Sequence, residues 1–128
     1  MTPEKFSKVV ENFTGDMEGL LLIKGEEYSR NGDRLYNFKI AGALKQETPE
    51  KALWGMIAKQ IVSIKDMCED PESVTEQQLQ DRTLDVANYM ALLQGLIRER
   101  HHDFNPAIMN VAKPAPKTRT VAIDEPAE

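Results

Sequence analysis

The chain has 128 residues, 41% apolar and 29% charged, a balance that fits one hydrophobic core of ordinary composition. Its formal net charge of -5 argues against a long nucleic acid as the main ligand, because a phosphate polyanion selects a basic surface. Cys68 stands alone, so no intrachain disulfide forms and a reducing compartment is expected. The longest strongly apolar run, Leu20 to Ile23, is too short to span a membrane.

In chain order, Thr2-Pro3-Glu4 opens a helix with an N-cap hydroxyl, a proline in the first turn and a first-turn acid. The residues Met1 to Phe6 lack the apolar stretch of a secretory signal, and the expected location is the cytoplasm. A first helix is predicted near 3–13 and a second near 16–29, separated around Thr14 and Gly15. Gly15 and Gly19 weaken the second helix, which close approach of a neighbouring helix would explain. On its surface Asp16, Leu20, Ile23 and Glu27 share one face, with Lys24 beside Glu27. Glu27 thus projects from an otherwise apolar stripe, near a helix C-terminus that disfavours an acid, and so calls for a partner. A plain Lys24–Glu27 surface pair is the alternative.

Asn31-Gly32 signals a turn, followed by a shorter helix near 33–45. Thr48-Pro49-Glu50 repeats the opening chemistry of Thr2-Pro3-Glu4 and starts a helix over 49–67. Its Leu53, Ile57, Ile61 and Ile64 recur at helical spacing, flanked by Trp54 and Met56, and are expected in the core. Asp70-Pro71-Glu72-Ser73 breaks this helix, and Thr75 with Gln78 forms a capping box that opens a last helix over 76–100. That helix is apolar over a wide arc centred on Leu79, Val86, Met90, Leu93 and Ile97, with Leu84, Ala87, Ala91 and Leu92 nearly closing the circle. A helix of this kind sits at the middle of a bundle or beneath a second subunit, and a homo-oligomer is expected. The remaining residues, 103–128, hold four of the seven prolines and few large apolar side chains, and read as an extended tail. The expected architecture is all-α, a four- to five-helix bundle over residues 1–102 with the tail after it.

The acids of the last helix carry the chemistry. Asp81, Asp85 and Asn88 fall at i, i+4 and i+7, within about 60° of one another around the axis. Like charges one turn apart cost about 0.2–0.5 kcal/mol in an isolated helix. Leu92 continues the same stripe, which suggests an inward face. Two carboxylates and an amide oxygen are the hard donors that Mg²⁺ prefers. No glycine-rich phosphate loop is present, and Cys68 has no sequence partner that would make it a nucleophile. His101-His102-Asp103 reads as a helix terminus before it reads as a metal cluster.

Three segments together resemble a known family. They are Lys24-Gly25-Glu26-Glu27-Tyr28-Ser29, Asp33-Arg34-Leu35 followed by Asn37-Phe38, and Asp81-Arg82-Thr83-Leu84-Asp85-Val86-Ala87-Asn88-Tyr89. Across residues 16–98 the chain resembles the nucleotide modification-associated family of phages, which is similar in turn to the MazG-like all-α nucleoside-triphosphate pyrophosphohydrolases. The resemblance implies a Mg²⁺- or Mn²⁺-dependent nucleotide-processing domain acting on dNTPs in a host cytoplasm. It implies Glu27, Asp81 and Asp85 as metal ligands, with Glu27 and Asp85 catalytic. It also implies Lys24 and Arg34 on phosphate, and Asn88 and Tyr89 on the nucleotide. Arg30 and Arg82 stand where the pyrophosphohydrolases carry acids, which leaves a non-catalytic nucleotide binder, or a helical interaction protein, as the alternatives.

Overall fold

The computed structural model describes residues 1–101. Four α-helices account for most of them: α1 (Pro3–Tyr28), α2 (Tyr36–Leu44), α3 (Pro49–Glu69) and α4 (Glu76–His101), with one turn of 3₁₀-helix over Pro71–Ser73. No strand occurs among the described residues, and the all-α expectation holds. The expected tail over 103–128, and the His102 and Asp103 of the candidate cluster, lie outside the described residues.

The cap chemistry operates as the sequence predicts. The Thr2 and Thr48 hydroxyls each accept from a backbone N–H three residues on, Lys5 and Lys51, at 3.2 Å. Thr75 and Gln78 bond reciprocally, side chain to backbone, at 3.0 and 3.1 Å. The predicted break at Thr14-Gly15 does not occur, and α1 runs through it as one helix of 26 residues. The Thr14 hydroxyl donates back to the Val10 carbonyl at 2.9 Å, so it serves the preceding turn instead of capping a new one. Nothing lies close enough to Gly15 or Gly19 to require a glycine, so the expected close helix approach is absent there.

Between α1 and α2 the chain reverses over Asn31 and Gly32, both at positive φ, and Arg30 and Asp33 exchange backbone hydrogen bonds across them. This turn delays α2 to Tyr36, three residues later than the pattern suggests. At the other end of α2, Gly42 is indispensable. A Cβ there would lie 2.8 Å from the Glu47 carbonyl oxygen and 2.9 Å from the Thr48 carbonyl carbon. The α2–α3 connection therefore folds back directly over it.

The core forms where α3 packs on both α2 and α4: Phe38, Leu53 and Leu96 are buried together, with Leu35, Met56, Tyr89, Leu92 and Leu93 against them. Ala52 and Ile57 are buried on α3 as well. Glu50, at the start of α3, meets Arg100 Nη1 at 3.4 Å and His101 Nε2 at 3.0 Å at the end of α4, fixing these helices antiparallel. His101 thus engages a carboxylate on another helix, in place of the terminal carbonyls.

Three core expectations are corrected. Trp54 is 65% exposed and Ile61 45%, because α3 is covered by α2 and α4 only on the Leu53–Ile57 side. On α4 the buried residues are Leu84 and Leu96, whereas Leu79 and Met90 of the expected centre are exposed. On α1 Ile23 is exposed too, and no α1 residue is fully buried. Periodicity locates an apolar arc, but the neighbours decide which part of it is covered.

Candidate functional site

The covered part of α4 is its polar stripe. Asp85, Asn88 and Leu92 face a cavity of about 360 Å³ enclosed by all four helices. From α1 come Leu20, Leu21, Lys24 and Tyr28; from the α1–α2 turn and α2, Arg34, Asn37 and Phe38; from α3, Met56; and Tyr89 completes the α4 wall. One side is apolar, and cations, amides and phenols converge on the other, as in small-molecule sites generally.

The local fold accounts for each polar group. Lys24 and Tyr28 are one turn apart on α1, so both point the same way as Leu20 and Leu21. Arg34 follows the tight turn, and Asp33 anchors it. One Asp33 carboxylate oxygen accepts from the Leu35 backbone N–H at 2.9 Å, and the other from Lys39 Nζ at 2.7 Å. Lys39 also reaches Glu99 at 2.7 Å, which ties the turn to α4. The Lys39 ammonium and the Leu35 N–H hold the Asp33 carboxyl below the usual carboxylate range, while Asp33 and Glu99 hold Lys39 above its ordinary value. Arg34 then lies across α1 at Gly25, where a Cβ would come within 3.2 Å of its Nε. The Ser29 hydroxyl donates to the Gly25 carbonyl, closing the end of α1 beside it.

Among the described residues neither Lys24 nor Arg34 has a carboxylate within ion-pair distance, so the cavity holds two unneutralised cations against the single acid Asp85. Its local charge is opposite in sign to that of the whole chain. Asn88 presents a buried Oδ1 with no hydrogen-bond partner. Leaving a buried polar atom unmatched costs about 1–3 kcal/mol, and at a cavity wall it marks a place where a ligand atom completes the bond. Burial, then the Asp85 charge and then Tyr28 push the Tyr89 phenol up from its ordinary value, so it stays protonated at neutral pH and can donate.

Of the residues expected in the site, Lys24, Arg34, Asp85, Asn88 and Tyr89 come together in this one cavity. Glu27 and Asp81 do not line it: both are exposed, and Asp81 accepts a hydrogen bond from Gln77 Nε2 at 2.8 Å. Glu27 follows the outward face of α1 because the inward face is set by Leu20, Lys24 and Tyr28. Among the described residues no group of three or more His, Cys, Asp or Glu is placed to share a metal ion. The cavity donors are instead one carboxylate, Asp85, and the unmatched amide oxygen of Asn88. That set fits a Mg²⁺ ion held largely by a ligand's phosphates, the usual protein share being one or two carboxylates. Tyr28 and Asn37 join the site although the sequence reading gave them no role; the signal for each is helical spacing, four residues after Lys24 and three after Arg34.

No helix among the described residues is long and apolar enough to cross a membrane. Comparison with protein-family models, with curated proteins and with solved structures finds no match to this chain.

Proposed function

We propose that this cavity binds a nucleotide through its phosphates and its base, with Mg²⁺ carried on the phosphates. The observation that supports this reading is convergence. The three segments that resemble the phage nucleotide-modification family lie far apart in the chain, yet Lys24, Tyr28, Arg34, Asn37, Asp85, Asn88 and Tyr89 all face one space.

Arg34 contacts a phosphate through two parallel N–H groups and Lys24 through a point charge, and neither must first be released from a carboxylate. Asn88 and Asn37 offer amides, and Tyr28 and Tyr89 offer rings and hydroxyls, to a heterocycle and its sugar. Phe38, Met56 and Leu92 keep bulk water from that end of the cavity. Asp85, with the Asn88 oxygen, is the pair that would hold Mg²⁺, which when bound neutralises phosphate charge and polarises a phosphorus–oxygen bond. With Asp85 the one carboxylate on the cavity wall, the geometry favours binding over dNTP pyrophosphohydrolysis. The reading extends to a cytoplasmic setting, where the exposed Cys68 stays reduced.

Incubation with a panel of dNTPs and Mg²⁺, followed by chromatography of mono-, di- and triphosphates, separates the two activities, and calorimetry measures binding directly. Substituting Arg34 or Lys24 by Met should weaken nucleotide binding about 10- to 100-fold, the value of a charge-assisted contact. Unchanged affinity in both variants refutes the site.

A further inference from the structure

The N-terminal half of α1 has no partner that accounts for it. Phe6, Val9 and Val10 are exposed, Phe13 and Met17 are only half-buried, and the packing of α1 on the bundle is against α4. Phe6, Val10, Phe13 and Met17 are spaced by four, three and four residues and lie within an arc of about 60°, the repeat of a coiled-coil seam. The seam runs straight into Leu20 and Lys24 on the cavity wall, so one face of α1 serves two purposes along its length. A helix with no buried residue gains little from tertiary packing, and helices in water owe most of their stability to a packed face.

We infer that this half of α1 pairs with the same segment of a second copy of the chain, antiparallel, about a two-fold axis near Glu11 and Asn12. The seam is self-complementary in that register alone: Phe6 of one copy falls opposite Met17 of the other, and Val10 opposite Phe13. Charge selects the same direction. Lys5 and Lys8 lie in the early turns, and Glu11, Asp16 and Glu18 in the following ones. Antiparallel pairing sets each basic turn beside the other copy's acidic turns, whereas parallel pairing aligns like charges. The helix dipoles also oppose one another in this arrangement. The expected interface therefore lies on α1 and not on α4, whose exposed large apolar residues are only Leu79 and Met90. Pairing steadies the helix that carries Lys24 and Tyr28, whatever the cavity binds.

Sedimentation equilibrium of the full chain, from low micromolar to near-millimolar concentration, should show a reversible monomer–dimer transition. Val10→Glu should weaken it by about tenfold or more, because a charge enters the centre of the seam. Trp54→Glu, on the exposed face of α3, should leave it unchanged. A chain that is monomeric throughout the range overturns the inference, and so does an association that Trp54→Glu abolishes and Val10→Glu does not. Cross-linking gives a second reading without a charge in the seam. In a Cys68→Ser background, a mixture of Phe6→Cys and Met17→Cys chains should oxidise to the mixed disulfide. Preferential self-linking of Phe6→Cys chains would show parallel pairing and overturn the register.

Discussion

Replacing Asn88 by leucine should make the ligand-free protein more stable while destroying its proposed function. Asn88 lies on the inward face of α4 with a buried Oδ1 that no donor reaches. Its neighbours on the cavity wall include Leu20, Leu21, Phe38 and Leu92, so an isobutyl group meets apolar partners there. The unmatched oxygen costs about 1–3 kcal/mol, and leucine also exceeds asparagine in helix propensity by a few tenths. A net gain of about 1–2 kcal/mol corresponds to a rise in Tm of about 4–16 °C for a domain of this size. Thermal and urea unfolding followed by circular dichroism in the absence of nucleotide measures it, provided the transition is two-state. Asn88→Ala separates the contributions, since it removes the oxygen and improves propensity but leaves a void; it should fall below the leucine variant. With nucleotide present the order reverses, because only the wild type gains the stabilisation that a bound ligand confers. A leucine variant less stable than wild type without ligand would mean that Asn88 is already satisfied in the free protein. The cavity would then lose its strongest mark of a binding site.

Leu53 is 1% exposed at the centre of the core, and Leu53→Ala should cost about 2–5 kcal/mol in urea denaturation. The same truncation at Ile61, which is largely open, should cost well under half as much. Gly42→Ala should destabilise by about 1–3 kcal/mol, since its Cβ meets backbone that cannot turn aside, and a neutral result would show that the α2–α3 connection shifts freely. Lys39→Met removes both ion pairs of the turn; because these are partly solvated the loss should be under about 1 kcal/mol, but nucleotide affinity should fall with it as Arg34 loses its support. The Asp33 contribution is present at neutral pH and fades as acid takes the solution through its lowered pKa. The Lys39 contribution is complete below the ordinary lysine pKa and fades as alkali passes its raised one. The difference in stability between wild type and Lys39→Met should accordingly be largest on the plateau between, and a difference constant from acid to alkali would refute the brace.

Helix starts and stops were legible residue by residue because they depend on local chemistry. A threonine hydroxyl reaches a backbone N–H three residues on, whatever else the chain does, and Asn31-Gly32 accepts positive φ for the same local reason. The all-α class followed from these marks and from helical periodicity. The residue types of the site were legible too, since Asp85, Asn88 and Leu92 share a stripe that made little sense as surface. Their arrangement was not. Lys24 and Arg34 belong with Asp85 only because the turn at Asn31-Gly32 lays α2 beside α1 and α4, with Asp33, Lys39 and Glu99 fixing the angle. Glu27 and Lys24 are three residues apart and equally plausible in sequence, yet one faces solvent and the other the cavity. Trp54 shows the same limit, being the most hydrophobic-looking member of its segment and among the most exposed. Burial belongs to pairs of surfaces, and a single helix carries only one surface of each pair. The sequence alone therefore determined where the helices run and which chemistry they bear, and the packing of four helices determined which of those side chains meet.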